Sequence, residues 1–390
     1  MTRLRDLKSL VHDAVDAPTH LVAEGHDSVA RATVKVASTA GLGEPARAVD
    51  GLRSAATEAV LASVRGVNRL VEATSDAALD AVAPPEAPAA PRPLTEEALF
   101  TAEGAADQLQ GVLNGLAGDT LRRRGNGLDL GMSLRLDDTT LDGPLRAERV
   151  AVFVHGLSTT ETSWCLGAAE ALGASDATFG SLLQRDLGYT PLFARYNTGL
   201  PVAESGRALA ALLDAHLAEV KEIVLVGHSM GGLVSRAATV NGAFVDRLTH
   251  VICLASPHRG APLARFGEAA TQTLLAVDHP ATRVIGTLLA HRSLGIRDLE
   301  REDAPDLGPL LDTVTYLFLA ATAVSNPSLP GAHALGDLLV TVRSAEGPDT
   351  DHADVHRQRV AGALHHAVQV DPRVYEALRD LLQPARVTPT

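Results

Sequence analysis

Apolar residues along this chain fall into two patterns. Short, continuous, β-branched runs occur at 149–154, 222–226 and 315–321, each bounded by polar or glycine-containing segments. Runs of this length without polar alternation predict strands buried on both faces, as in a parallel sheet. A further run at 132–136 lies between the turn signals Asn126-Gly127 and Asp142-Gly143 and predicts a strand leading into the core. Elsewhere the period is helical. Leu4, Leu7, Val11 and Val15, then Val60, Val64, Val67 and Val71, predict two or more amphipathic helices within residues 1–82. A Pro/Ala-rich stretch at 83–94 predicts an extended, semi-rigid linker. Thr95-Glu96-Glu97-Ala98 opens another helix with acidic residues in its first turn.

Residues 262–312 lie between two predicted strands and carry Leu274, Leu275, Val277, Val284, Ile285, Leu288 and Leu289 at helical spacing. The segment is longer than one crossover needs, which predicts a helical cap. Asp371-Pro372, followed by Val374, Ala377 and Leu378, predicts a last helix with proline in its first turn. The expected organisation is a helical region at 1–82, a linker at 83–94 and an α/β domain at 95–390. That domain should hold a mostly parallel central sheet flanked by helices.

Candidate chemistry sits where the strand at 222–226 ends. Gly227-His228-Ser229-Met230-Gly231-Gly232 matches G-x-S-x-G, and Leu233-Val234-Ser235-Arg236-Ala237-Ala238 opens a helix after it. A strand, a tight turn and a helix form the context of a nucleophile elbow, where small flanking residues let strand and helix approach. Ser229 is the expected nucleophile; the alternative is a solvated serine in a glycine-rich turn. Such a serine needs two backbone N–H donors for the oxyanion of its tetrahedral intermediate. One is expected from Met230, the residue after the nucleophile. The other is expected from Leu157, in the loop His155-Gly156-Leu157 after the strand at 149–154. His155 is expected to shape that loop, because bases in this arrangement follow the acid in chain order.

These segments resemble the lipase and esterase branch of the α/β-hydrolases, particularly bacterial lipases of actinobacterial type with V-H-G-L and G-H-S-M-G-G. Leu187-Gly188-Tyr189-Thr190-Pro191 and Arg195-Tyr196-Asn197-Thr198-Gly199 are similar to the second strand and its loop in such relatives. Ala255-Ser256-Pro257-His258-Arg259-Gly260-Ala261-Pro262 is similar to the segment after the strand that follows the elbow. The resemblance covers roughly residues 148–383 and implies an α/β-hydrolase fold. Gly336-Asp337-Leu338-Leu339-Val340-Thr341-Val342-Arg343-Ser344-Ala345 looks like the family's S-D-G-x-V-P-V-x-S-A segment. It implies Asp337 as the acid, although Gly336 stands for the usual Ser and Leu338 for the usual Gly. Asp349, Asp351 and Asp354 are the alternatives.

Relatives carry one histidine seven residues before the proline of the last helix, which implies His365 as the base. Gln369 falls on a position that should be apolar, so His366 stays open as the alternative, ahead of His352 and His356. The implied activity is that of a serine carboxylester hydrolase, a lipase or esterase working through an acyl-enzyme. Acyl transfer by the same triad is a second reading, as is amide or peptide hydrolysis. A non-catalytic binding protein of the same fold is a third. None of this chemistry calls for a cofactor or a metal.

Composition adds limits. With 390 residues, 46% of them apolar, the chain can build one sizeable catalytic domain and an extension. Aromatics are only 3%, which predicts a core of Ala, Val and Leu. A net charge of −13 argues against nucleic-acid partners and a polybasic membrane anchor. No apolar run of about 18 residues predicts a membrane span, and Asp13, Asp16 and His20 interrupt any secretory h-region. The expected location is cytoplasmic. The expected partner is a small-molecule or lipid ester, with peripheral lipid-surface contact through the N-terminal helices as the sharper alternative to a packed helical hairpin. Two cysteines, Cys165 and Cys253, leave the redox compartment open.

Overall fold

Eight strands form a single sheet in the order β2-β1-β4-β3-β5-β6-β7-β8. The strands are β1 (Met132–Leu136), β2 (Thr139–Thr140), β3 (Arg149–Val154), β4 (Thr190–Tyr196), β5 (Glu222–His228), β6 (Leu248–Leu254), β7 (Thr315–Thr322) and β8 (Val355–Ala361). This is a computed structural model, and it describes residues 93–261, 293–301, 307–326 and 332–383, apart from 124, 241 and 353. The expected helices of 1–82, nearly all of the 83–94 linker and residues 262–292 of the expected cap lie outside the described residues.

Strands β3 to β8 pair in parallel, and β1 joins β4 antiparallel. The continuous apolar runs follow from this placement, because each central strand is covered on both faces. Val150, Val152, Val154, Ile223 and Leu225 pack on one side. Helices α3 (Val202–His216) and α4 (Met230–Ala238) cover them with Val202, Leu209, Leu213, Leu233 and Val234. Ala151, Phe153, Val224 and Val226 face the other side, under α2 (Phe179–Leu187) and α6 (Pro372–Leu382). The few aromatics are shared between the two faces. Trp164 and all four tyrosines are buried, so the core is less purely aliphatic than composition suggests.

Helix α1 (Ala102–Arg123) precedes the sheet and presents glycines to the loops at its carboxyl edge. A Cβ on Gly115 would lie 2.0 Å from Ser158 Oγ, and one on Gly118 would lie 1.8 Å from Asn197 Oδ1. The helix is tied down by charge as well. Arg195 on β4 pairs with Asp107 of α1 and, at 3.0 Å, with Glu161, which Arg135 of β1 also meets at 2.9 Å. Burying a single unpaired member of this set would be costly, so the four charges fix how helix, loop and strands meet. The far end of the 262–312 segment returns as α5 (Leu294–Glu300), where Ser293 Oγ donates to Gly115 O at 2.5 Å. Asp298 accepts from the Val202 N–H at 2.9 Å. Among the described residues no helix is long and apolar enough to cross a membrane.

Candidate active site

The chain runs from β3 outward to β4, then crosses back to β5 on the other side of β3, so loops diverge at the carboxyl ends of β3 and β5. Such a switch point opens a crevice. Val154 and Gly227 are register partners there, which puts the loop after β3 beside the turn after β5. Ser229 occupies that turn with φ 53° and ψ −125°. A serine in the left-handed region is strained by roughly 1–3 kcal/mol and persists only where its surroundings fix it. Its N–H donates to Leu254 O at 2.8 Å, and its carbonyl accepts from Gly232 N–H at 3.1 Å.

The glycines around it have steric reasons. A Cβ on Gly227 would meet the Gly231 carbonyl at 2.4 Å, and one on Gly231 would meet Val154 O at 2.1 Å. Both contacts are with backbone, which cannot swing away. Gly231→Ala should therefore push α4 off β3 and cost on the order of 3 kcal/mol, read as a lower denaturation midpoint. A midpoint equal to that of the wild type would show that the helix start is not packed this tightly.

Asp337 and His365 come together from distant loops. His365 Nδ1 lies 2.7 Å from Asp337 Oδ2, and both residues are buried. The other carboxylate oxygen accepts from the backbone N–H of Leu339 at 3.0 Å and of Val340 at 2.8 Å. That turn explains the first departure in the segment 336–338, and nothing in the structure explains the second. Gly336 has φ 52°, and a Cβ there would lie 1.8 Å from Val340 O, so Ser would not fit. Leu338 carries the second left-handed φ, 81°, at the position where relatives have Gly. Leu338→Gly should remove strain at a smaller entropic cost, a net gain of about 0.5–1 kcal/mol and a melting point higher by about 2 °C. A lower melting point would mean that Leu338 packing outweighs the strain.

His366 does not make the Asp337 contact; its residue is exposed and starts the 3-10 turn His366–Gln369. Gln369, the polar residue at an expected apolar position, is buried and donates from Nε2 to Ser163 Oγ at 3.2 Å. The other candidates lie apart from this pair. Asp349 pairs with Arg259 at 2.8 Å, Asp354 accepts the Tyr316 N–H through its backbone, and His352 Nε2 meets Leu311 O at 2.9 Å. His356 is an exposed residue on β8, a strand whose polar run gave no apolar signal in the sequence.

Leu157 and Met230 follow the ends of β3 and β5, and neither backbone N–H has a hydrogen-bond partner among the described residues. Ser158 N–H donates to Thr198 Oγ1 at 3.1 Å, which fixes the turn beyond Leu157. His155 is buried, with Nδ1 3.0 Å from Gly156 O and its ring 4.5 Å from Tyr196; burial pulls its pKa down to about 3. It serves the loop as a neutral ring. Cys165 and Cys253 are buried free thiols, each pushed up to about 12 by burial. Among the described residues no group of three or more His, Cys, Asp or Glu is placed to hold a metal ion.

One residue escaped the sequence reading. His228, the x of G-x-S-x-G, is buried with Nε2 2.9 Å from the His365 carbonyl oxygen and its ring 4.7 Å from the His365 ring. Its only signal was a polar side chain closing an otherwise apolar strand. Burial, then the neighbouring His365, holds it well below the usual histidine range, so the ring is neutral.

Residues 202–279 match a family described as a PGAP1-like alpha/beta domain. No curated protein matches the chain. Among solved structures, the mature form of a Bacillus licheniformis lipase is 18% identical over 63% of this chain and 96% of its own, with a TM-score of 0.42. A thermophilic esterase from Thermogutta terrifontis is 18% identical over 64% of this chain and 92% of its own, with a TM-score of 0.37. An esterase from Rhodococcus is 16% identical over 64% and 94%, with a TM-score of 0.39. The family match falls on the strand, elbow and helix that the sheet order already sets at the switch point, and together they give this chain an α/β-hydrolase fold.

Proposed function

We propose that the chain is a serine carboxylester hydrolase, a lipase or esterase, with Ser229 as nucleophile, His365 as base and Asp337 as acid. The observation that carries this is a strained serine at the switch point together with a buried His365–Asp337 pair at 2.7 Å. Asp337 Oδ2 accepts the Nδ1 proton of His365, which leaves Nε2 free to take a proton. In this reading Nε2 removes the Ser229 proton as Oγ attacks an ester carbonyl, and the imidazolium then protonates the leaving alcohol. The N–H groups of Leu157 and Met230 hold the oxyanion; each is worth about 3 kcal/mol in the transition state. Water activated by His365 then releases the acid.

Ser229 Oγ makes no hydrogen bond among the described residues. In the proposed cycle its hydrogen bond to His365 forms once substrate is bound, as is usual for apo sites. The test is hydrolysis of p-nitrophenyl esters from acetate to palmitate by the full chain, with and without a fluorophosphonate. Turnover that the inhibitor stops is expected, and the preferred chain length sizes the acyl site. A chain inert on every ester and unlabelled by the inhibitor would sink the hydrolase reading.

A further inference from the structure

We propose that His228 is a positioning residue for the reaction: its Nε2–H holds the His365 backbone carbonyl and so sets the base against the nucleophile that follows it in sequence. The proposal rests on the hydrolase reading above and adds a part that the triad does not contain. His228 ends β5 and Ser229 begins the elbow, so the two share one peptide unit and the imidazole hangs from the end of the strand that carries the nucleophile. His365 arrives from a loop between β8 and α6, 137 residues away in sequence. Its side chain is fixed by Asp337, but a side-chain bond alone lets the loop pivot. The bond from His228 Nε2–H to His365 O, 2.9 Å long, ties the backbone of that loop to the backbone of the nucleophile. The base is thereby held at both ends.

The ring is itself wedged. Trp164 meets it edge-on at 6.4 Å, and a Cβ on Gly156 would come within 3.2 Å of its Nδ1 and 3.1 Å of Ser229 Cβ. One imidazole therefore lies between the proposed oxyanion loop and the base. Its state also matters. In the proposed cycle His365 becomes a cation, and a charged ring 4.7 Å away would oppose that. The groups that act on His228 are His365, His366 and His155, all of them histidines, and burial dominates over each. No carboxylate is among them to stabilise a charged His228. A neutral ring with its proton on Nε2 can donate to the carbonyl.

The test compares His228→Gln, which keeps an N–H donor at similar reach, with His228→Phe, which keeps a ring of similar size and no donor. Loss of the tether should lower kcat and the rate of fluorophosphonate labelling together in the Phe variant, by about 10²-fold, with KM little changed. Gln should recover most of that loss. A purely space-filling role predicts the reverse order, so a Phe variant as fast as Gln overturns the proposal while wild-type labelling leaves the hydrolase reading intact. A wild-type chain that is neither labelled nor active overturns both. The wild-type chain gives a second readout that needs no variant to fold: its two-bond 1H–15N spectrum. His228 should show the Nε2–H tautomer and no titration from about pH 5 to 9. A proton on Nδ1, or a titration in that window, overturns the proposal.

Discussion

Replacing Ser229 with alanine should lower kcat for p-nitrophenyl esters by about 10⁶-fold, leaving only the rate that bound, oriented substrate and oxyanion donors give to water. The size of the effect follows from the elbow. Ser229 keeps its φ of 53° because its N–H is bonded to Leu254 O and because Gly227 and Gly231 let β5 and α4 close around it. Alanine meets the same backbone demands, so the variant should melt within about 1 °C of the wild type. The lost activity would then report the hydroxyl and not the fold. The Leu157 and Met230 N–H groups are untouched, so ester binding should persist and KM should change little. Residual turnover above about a thousandth of wild type would mean that another group attacks the ester.

Much of this architecture was legible in the sequence where one force dominated. The runs at 149–154, 222–226 and 315–321 became β3, β5 and β7 because strands covered on both faces confine polar side chains to their ends. The elbow was legible for a different reason: its glycines are demanded by backbone contacts near 2 Å, which few sequences satisfy by chance. Strand β8 was not legible. It is an edge strand carrying His356, Arg357, Gln358 and Arg359, all exposed, and charged edges are how sheets discourage further pairing. Hence His356, weighed as a base, turned out to lie on an exposed strand.

The charge cluster of Asp107, Arg135, Glu161 and Arg195 was equally hidden. Its members are up to 88 residues apart, and each alone looks like an ordinary surface charge. The turn at Asp337 was partly legible. Its glycine stands in the serine's expected place and its leucine in the glycine's, and only the φ values of Gly336 and Leu338 show that the turn survives both changes. His228 was hidden by its own motif, where a histidine next to the serine reads as a variable position.

Asp337→Asn should lower kcat by about 10⁴-fold, the second largest effect expected here. The carboxylate is held from two sides. Oδ1 takes the Leu339 and Val340 N–H groups, and Oδ2 faces His365 Nδ1. An asparagine amide can keep the two backbone bonds only by leaving its oxygen on that side, which turns its NH2 toward His365. The imidazole must then accept at Nδ1 and carry its proton on Nε2, where it blocks the Ser229 proton from leaving. The turn and the fold should therefore stay intact while the base is locked in the wrong tautomer. His366, exposed beside it, offers no substitute geometry. Steady-state kinetics with a melting curve on the same sample checks both halves of the argument. A variant that keeps wild-type kcat would return the acid's role to Asp349, Asp351 or Asp354, and a variant that fails to fold would show that the turn needs the charge itself.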